Sequence, residues 1–134
     1  MNTLKMRRFA GAGMLAAACL SVAVWSSQAS ASTARAAAAA HTVKISANPS
    51  GMLKFTQSSI KTTPGKVVIS FTNKSPLPHD VVLINSKNKV LGKTPIFAGG
   101  TKSFDVTLTA GKYTYYCSVP GHRAAGMQGT LTVS

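Results

Sequence analysis

From residue 42 onwards, apolar and polar positions alternate. Val43 and Ile45 sit between Thr42, Lys44 and Ser46, and Phe104, Val106 and Leu108 alternate with Ser103, Asp105 and Thr107. Val67, Ile69 and Phe71 repeat the spacing against Val68, Ser70 and Thr72. Tyr113, Tyr115 and Cys117 fall on one face, Thr114 and Tyr116 on the other, and Leu131 and Val133 close the pattern. A period of two is the strand period, with one face buried and one wet. Turn signals separate the runs: Asn48-Pro49-Ser50-Gly51, Pro64-Gly65, residues 85–88, Gly99-Gly100 and Ala110-Gly111. About seven short strands follow from this punctuation, which predicts an all-β, two-sheet sandwich. No stretch after residue 42 has a helical period, and the length suffices for one core.

The chain before residue 42 has a different character. Residues 1–8 carry Lys5, Arg7 and Arg8 without an acid, residues 9–25 are apolar, and small and polar residues follow. That layout predicts a secretory signal peptide over residues 1–31, cut after Ala29-Ser30-Ala31, with Ser27-Gln28-Ala29 as the competing cut. An uncleaved anchor is the alternative, but the apolar run is short for a span and rich in Ala and Gly. Arg7-Arg8 and Cys19 leave the export route open between general secretion, twin-arginine export and lipidation. Residues 32–41 include five consecutive alanines and read as a tether, since an isolated helix of that length is marginal in water. The domain proper is expected at 42–134, exported to a periplasmic or other extracytoplasmic compartment, at most peripheral to a membrane.

Charge changes the picture in one respect. Fifteen Lys and Arg face two acids, Asp80 and Asp105, for a net charge of +13. The lysines of the domain are scattered singly, so the blocks that mark nucleic-acid binding are missing, and no nucleic-acid partner is expected. Two readings remain open: solubility with protection of edge strands, and steering towards an acidic partner or an anionic surface.

Removing the signal also removes Cys19, and Cys117 becomes the lone thiol of an exported protein, where cysteines are ordinarily paired. Cys117 opens a segment that continues through Pro120-Gly121 to His122 and Met127 and re-enters a strand near Gly129. One loop thus offers a thiolate, an imidazole and a thioether in the spacing C-x4-H-x4-M. Thiolate and thioether are soft donors that favour copper, and a His2Cys plane with a weak axial Met is the blue-copper arrangement. That set needs one more histidine, and the chain offers His41 and His79. His79 is the better candidate, because Pro76 and Pro78 stiffen its approach and the run at 80–84 fixes its direction. Zinc would need more Cys, His or carboxylate ligands than are present. A Cys–His nucleophile lacks an orienting third group. No phosphate loop, dinucleotide fingerprint or paired-carboxylate arrangement appears, so no enzyme activity is expected. A metal-free binding sandwich remains the reading that fold alone leaves open.

Gly51-Met52-Leu53-Lys54-Phe55, Pro64-Gly65, Asn73-Lys74-Ser75-Pro76-Leu77-Pro78-His79 and Tyr116-Cys117-Ser118 resemble segments of cupredoxins of the plastocyanin, auracyanin and rusticyanin kind. The resemblance covers nearly all of 42–134. The C-x4-H-x4-M loop is longer than that of plastocyanins and similar to that of auracyanins and rusticyanin. It implies a Greek-key β-sandwich holding one type 1 copper ion, with His79, Cys117 and His122 equatorial and Met127 axial. It also implies one-electron exchange with redox partner proteins by a monomer. Copper storage or delivery through the same residues is the alternative. One departure stands out: the family's Asn after the first histidine ligand is replaced by Asp80. A carboxylate accepts hydrogen bonds from Ser118 or a backbone N–H but donates none, and its charge beside copper is expected to favour Cu(II).

Overall fold

The alternation resolves into eight strands. They are β1 (His41–Ser46), β2 (Ser59–Thr62), β3 (Gly65–Asn73), β4 (Val82–Ile84), β5 (Val90–Lys93), β6 (Gly100–Leu108), β7 (Gly111–Tyr116) and β8 (Gln128–Val133). The computed structural model describes residues 40–134, so the expected signal peptide and residues 32–39 of the tether lie outside the described residues. The described residues contain no α-helix. One sheet has the order β1-β3-β6 and the other β2-β8-β7-β4-β5, which face each other as a two-sheet sandwich. Pairing is parallel for β1 with β3 and for β2 with β8, and antiparallel elsewhere.

Period-two burial builds the core from both inner faces. Val43, Ile45, Val67, Ile69, Phe71 and Leu108 come from one sheet, and Leu83, Tyr113, Tyr115, Leu131 and Val133 from the other. Phe71 sits edge-on to Phe55 and to Phe97, with ring centroids 5.9 and 5.5 Å apart. Phe55 also leans on Tyr115 at 5.5 Å. Edge-to-face pairs of this kind add stiffness beyond their buried area.

Two features depart from the sequence pattern. Residues 81–84 are buried on both faces, because β4 lies inside its sheet between β7 and β5. On the outer face Val82 pairs across with Tyr116 and Lys93, and Ile84 with Thr114 and Val90, so these side chains flank it. Strands β2 and β5 have no alternating signature. β5 is interrupted by Gly92, where any Cβ would run into the Phe104 ring from the opposite sheet.

The register gathers three connections at one end of the sandwich. β3 ends at Asn73 opposite Gly100, the start of β6. β4 begins at Val82 opposite both Lys93, the end of β5, and Tyr116, the end of β7, and Tyr116 in turn faces Gln128. Residues 74–81, 94–99 and 117–127 therefore leave the sheets together. All four predicted ligands lie in these connections, whereas His41, the histidine passed over, begins β1 at the opposite end.

Candidate metal centre

His79 is held by its main chain. Its N–H donates to Phe97 O at 3.1 Å and its carbonyl accepts from Phe97 N–H at 3.0 Å, a single isolated bridge. Two residues on, Val81 N–H donates to Thr94 Oγ1 and Val81 O accepts from Thr94 N–H, both at 3.0 Å. The buried amide of Asn73 donates to Phe97 O at 2.7 Å and to Leu77 O at 2.9 Å, tying both connections to the end of β3. Neither Asn73, Thr94 nor Phe97 stood out in the sequence as part of a site. Their roles depend on pairing across 13 to 24 residues of chain, which no local pattern announces.

The second ligand segment closes on itself. Cys117 follows the last residue of β7, so the strand's pleat turns its side chain into the core. Its N–H donates to Met127 O at 3.1 Å, and Met127 N–H donates to His122 O at 3.0 Å. His122 N–H and Ala125 N–H donate back to Val119 O and Gly121 O, both at 3.0 Å. Gly121 (φ 83°) and Gly126 (φ 103°) occupy the left-handed region that the tight path requires. Arg123 pins the outside of the segment: its guanidinium lies 4.2 Å from the Tyr116 ring centroid and its Nε donates to Gln128 Oε1 at 3.3 Å. The convergence predicted from C-x4-H-x4-M is thus a closed set of backbone hydrogen bonds.

Three donor atoms meet. His79 Nδ1 and His122 Nδ1 are 3.1 Å apart, and Cys117 Sγ is 3.8 Å from the first and 3.5 Å from the second. The point equidistant from all three lies inside this triangle, about 2.0 Å from each atom, which is the reach of a nitrogen donor to a first-row transition ion (~2.0–2.1 Å). A soft sulfur and two imidazole nitrogens at that spacing suit copper. Met127 is fully buried, and its main chain is bonded to both Cys117 and His122. His79 and Cys117 are likewise buried, whereas His122 is half-buried.

The electrostatics are those of a site that favours uncharged donors. Burial holds His79 below the ordinary imidazole value, the neighbouring His122 adds to this, and Asp80 opposes it. Burial likewise pushes the Cys117 thiol up, against backbone N–H groups of Asp80 and Val119 that favour the thiolate. Metal binding by this thiol must release its proton. Copper affinity is therefore expected to rise about tenfold per pH unit between neutral pH and the raised thiol pKa. Cu(I) competition titrations across that interval check this, and a flat profile would contradict it.

Asp80 ties the two ligand segments together. Its carboxylate accepts from Ser118 N–H and from the Ser118 hydroxyl, each at 2.6 Å, and the residue is buried. Asp80 thus accepts the Ser118 bonds that the sequence left available to a carboxylate.

Comparison with known proteins agrees with this geometry. Plastocyanin of Nostoc punctiforme is 34% identical over 113 residues, spanning 75% of this chain and 78% of that protein. The solved structure of auracyanin B shares 30% identity with a TM-score of 0.64, over 71% of this chain and 89% of that one. Reduced auracyanin from Roseiflexus castenholzii, at 20% identity, shares the fold with a TM-score of 0.65 over 72% of this chain and 98% of that one. The family profile of copper-binding proteins of the plastocyanin/azurin type matches residues 40–134. A chain with this sandwich, this donor triangle and these relatives belongs to the plastocyanin/azurin family of copper-binding proteins.

Proposed function

We propose that the protein carries single electrons between partner proteins outside the cytoplasm, through one copper held by His79, Cys117, His122 and Met127. The single observation that carries this reading is the donor triangle of His79, Cys117 and His122, in which each atom stands about 2.0 Å from a common point. Copper, when bound there, supplies a Cu(II)/Cu(I) couple that takes up and returns one electron.

The chain's own residues give that couple its setting. The backbone bonds of His79 to Phe97 and of Met127 to Cys117 and His122 fix the donors whatever the charge between them. Fixed donors keep reorganisation small. Burial of His79, Cys117 and Met127 excludes water and lowers the local dielectric. His122 alone among the four is partly exposed, beside exposed Pro120, Gly121, Ala124 and Ala125. Its ring edge is the port for the electron, set in an apolar surface suited to transient docking. A carrier that hands its metal on needs exchangeable ligands, and three fully buried ones favour retention. Reversible voltammetry with copper retained against a competing chelator supports electron transfer. Rapid loss of copper to the chelator without a reversible wave would favour delivery instead.

Asp80 tunes the couple in this reading. A negative charge next to the site stabilises Cu(II), so Asp80→Asn is expected to raise the reduction potential. The effective Coulomb term at such range is about 1–2 kcal/mol, or on the order of 50–100 mV for a one-electron couple. Voltammetry on the two proteins measures it, and an unchanged potential would remove Asp80 from the account.

The partner is expected to be acidic. Exposed Lys74, Lys93 and Arg123 stand in or next to the connections that carry the proposed ligands. Asp80 is buried, which leaves Asp105 as the one exposed acid of the chain. Electron exchange of the monomer with an acidic redox protein should slow steeply as salt is raised through ~0.1 M, where the Debye length is about 10 Å. A rate indifferent to salt in stopped-flow mixing would exclude this steering.

A further inference from the structure

Only one ring nitrogen of His79 faces the donor triangle. The other, Nε2, lies 3.3 Å from the hydroxyl of Ser75, and both residues are buried. The same oxygen accepts from Leu77 N–H at 3.2 Å. The N–H of Ser75 donates to Asn73 Oδ1 at 2.9 Å, while the Asn73 amide holds Leu77 O and Phe97 O. The hydroxyl is therefore fixed in place by the frame that holds the His79 main chain.

A ring nitrogen that faces a metal offers a lone pair, so the opposite nitrogen carries the proton and needs an acceptor. Among the described residues Ser75 Oγ is the one hydrogen-bond partner of Nε2. Without it a buried N–H would be left unpaired. The ring would then turn, or adopt the tautomer whose Nδ1–H points at His122 Nδ1, 3.1 Å away. A hydroxyl differs from a carbonyl in that it both accepts and donates. Ser75 accepts from Nε2–H, and it donates its own proton when Nε2 is bare. The contact therefore persists in either tautomer, and the ring keeps one orientation with copper absent or bound.

We propose that Ser75 is a positioning residue for copper capture, a two-way hydrogen-bond partner that holds the His79 ring aimed at the site before the metal arrives. The proposal rests on His79 being a copper ligand.

Ser75→Ala and Ser75→Thr test it through Cu(I) affinity, measured by competition, and nitrogen NMR of the His79 ring in the metal-free and Cu(I)-loaded proteins. Ser75→Ala is expected to lose ~10–100-fold in Cu(I) affinity, the usual effect of removing an outer partner of a histidine ligand. It should also move the His79 nitrogen resonances of the metal-free protein. Ser75→Thr, which keeps the hydroxyl, should restore both. A Ser75→Ala protein with affinity within about twofold of the parent, or with unmoved His79 resonances and only a lower melting temperature, overturns the proposal. The His79→Ala protein separates the two levels. If it binds Cu(I) like the parent, His79 is not a ligand and the assignment of the site has failed. If it binds weakly while Ser75→Ala binds normally, the role of Ser75 alone has failed.

Discussion

Cys117→Ser is expected to abolish the intense visible absorption of the Cu(II) protein and to weaken copper binding by more than about a hundredfold, beyond the 10–100-fold that loss of an outer partner brings. The serine is nearly isosteric, so the side chain still points into the same buried corner after β7. What disappears is the soft, polarisable thiolate whose transition to Cu(II) gives the colour and which selects copper over harder competitors. The hydroxyl does not ionise near neutral pH, and the two imidazoles then stand without a charged donor. The fold should survive, since the Cys117 N–H bond to Met127 O and the Ser118 bonds to Asp80 do not involve sulfur. Optical titration with Cu(II), beside a thermal melt of the metal-free protein, separates loss of the site from loss of the fold. A coloured Cys117→Ser protein would place the thiolate elsewhere.

Gly129→Ala is expected to have the largest effect on stability. Gly129 lies directly opposite Tyr115 in the β7–β8 ladder, and a Cβ there would overlap the Tyr115 ring. The ring has nowhere to go: it is fully buried, packs against Phe55, and its hydroxyl donates to Gln57 O at 2.6 Å. The same burial pushes the Tyr115 phenol up to about 12. Overpacking of a closed core site costs about 3 kcal/mol, the upper end of the usual range. For a domain of this size that lowers the melting temperature by roughly 10–20 °C. Thr130→Ala, at the exposed neighbouring position, should change stability by no more than about 0.5 kcal/mol. Similar melting curves for Gly129→Ala and the parent would mean that Tyr115 is less firmly seated than its contacts imply. The substitution also bears on the site, since Tyr115 and Gly129 each lie two residues from a proposed ligand, Cys117 and Met127.

These two positions show what the sequence discloses and what it conceals. The inner face of β7 was legible because Tyr113, Tyr115 and Cys117 alternate with polar neighbours, and Cys117 stood out as a thiol ending a strand. The loop to Met127 was legible because its donors lie within one short segment bounded by Pro-Gly. Gly129 was read only as the return to a strand. Its reason, the Tyr115 ring lying against it, belongs to cross-strand packing that one strand's pattern does not carry. The same holds for Gly92, which masked β5 because Phe104 occupies the space a side chain would need. The support of His79 was half legible. Its prolines marked a stiff approach, but the bonds to Phe97, Thr94 and Ser75 arise only when three connections leave the sheets at one end. Asp80 was legible as a departure from a family pattern, and Ser118 as its partner. The two 2.6 Å bonds from Ser118 add that the carboxylate is a fastening between the two ligand segments as well as a charge.

His79, Cys117, His122 and Met127 are proposed to hold one copper together. The paired optical and EPR spectrum of the Cu(II)-loaded protein, at one equivalent of copper, tests it most directly. An intense visible thiolate-to-copper band is expected together with an unusually small copper hyperfine splitting, both absent from the Cys117→Ser protein. A nearly colourless protein with the wide splitting of an ordinary tetragonal Cu(II) complex would contradict it.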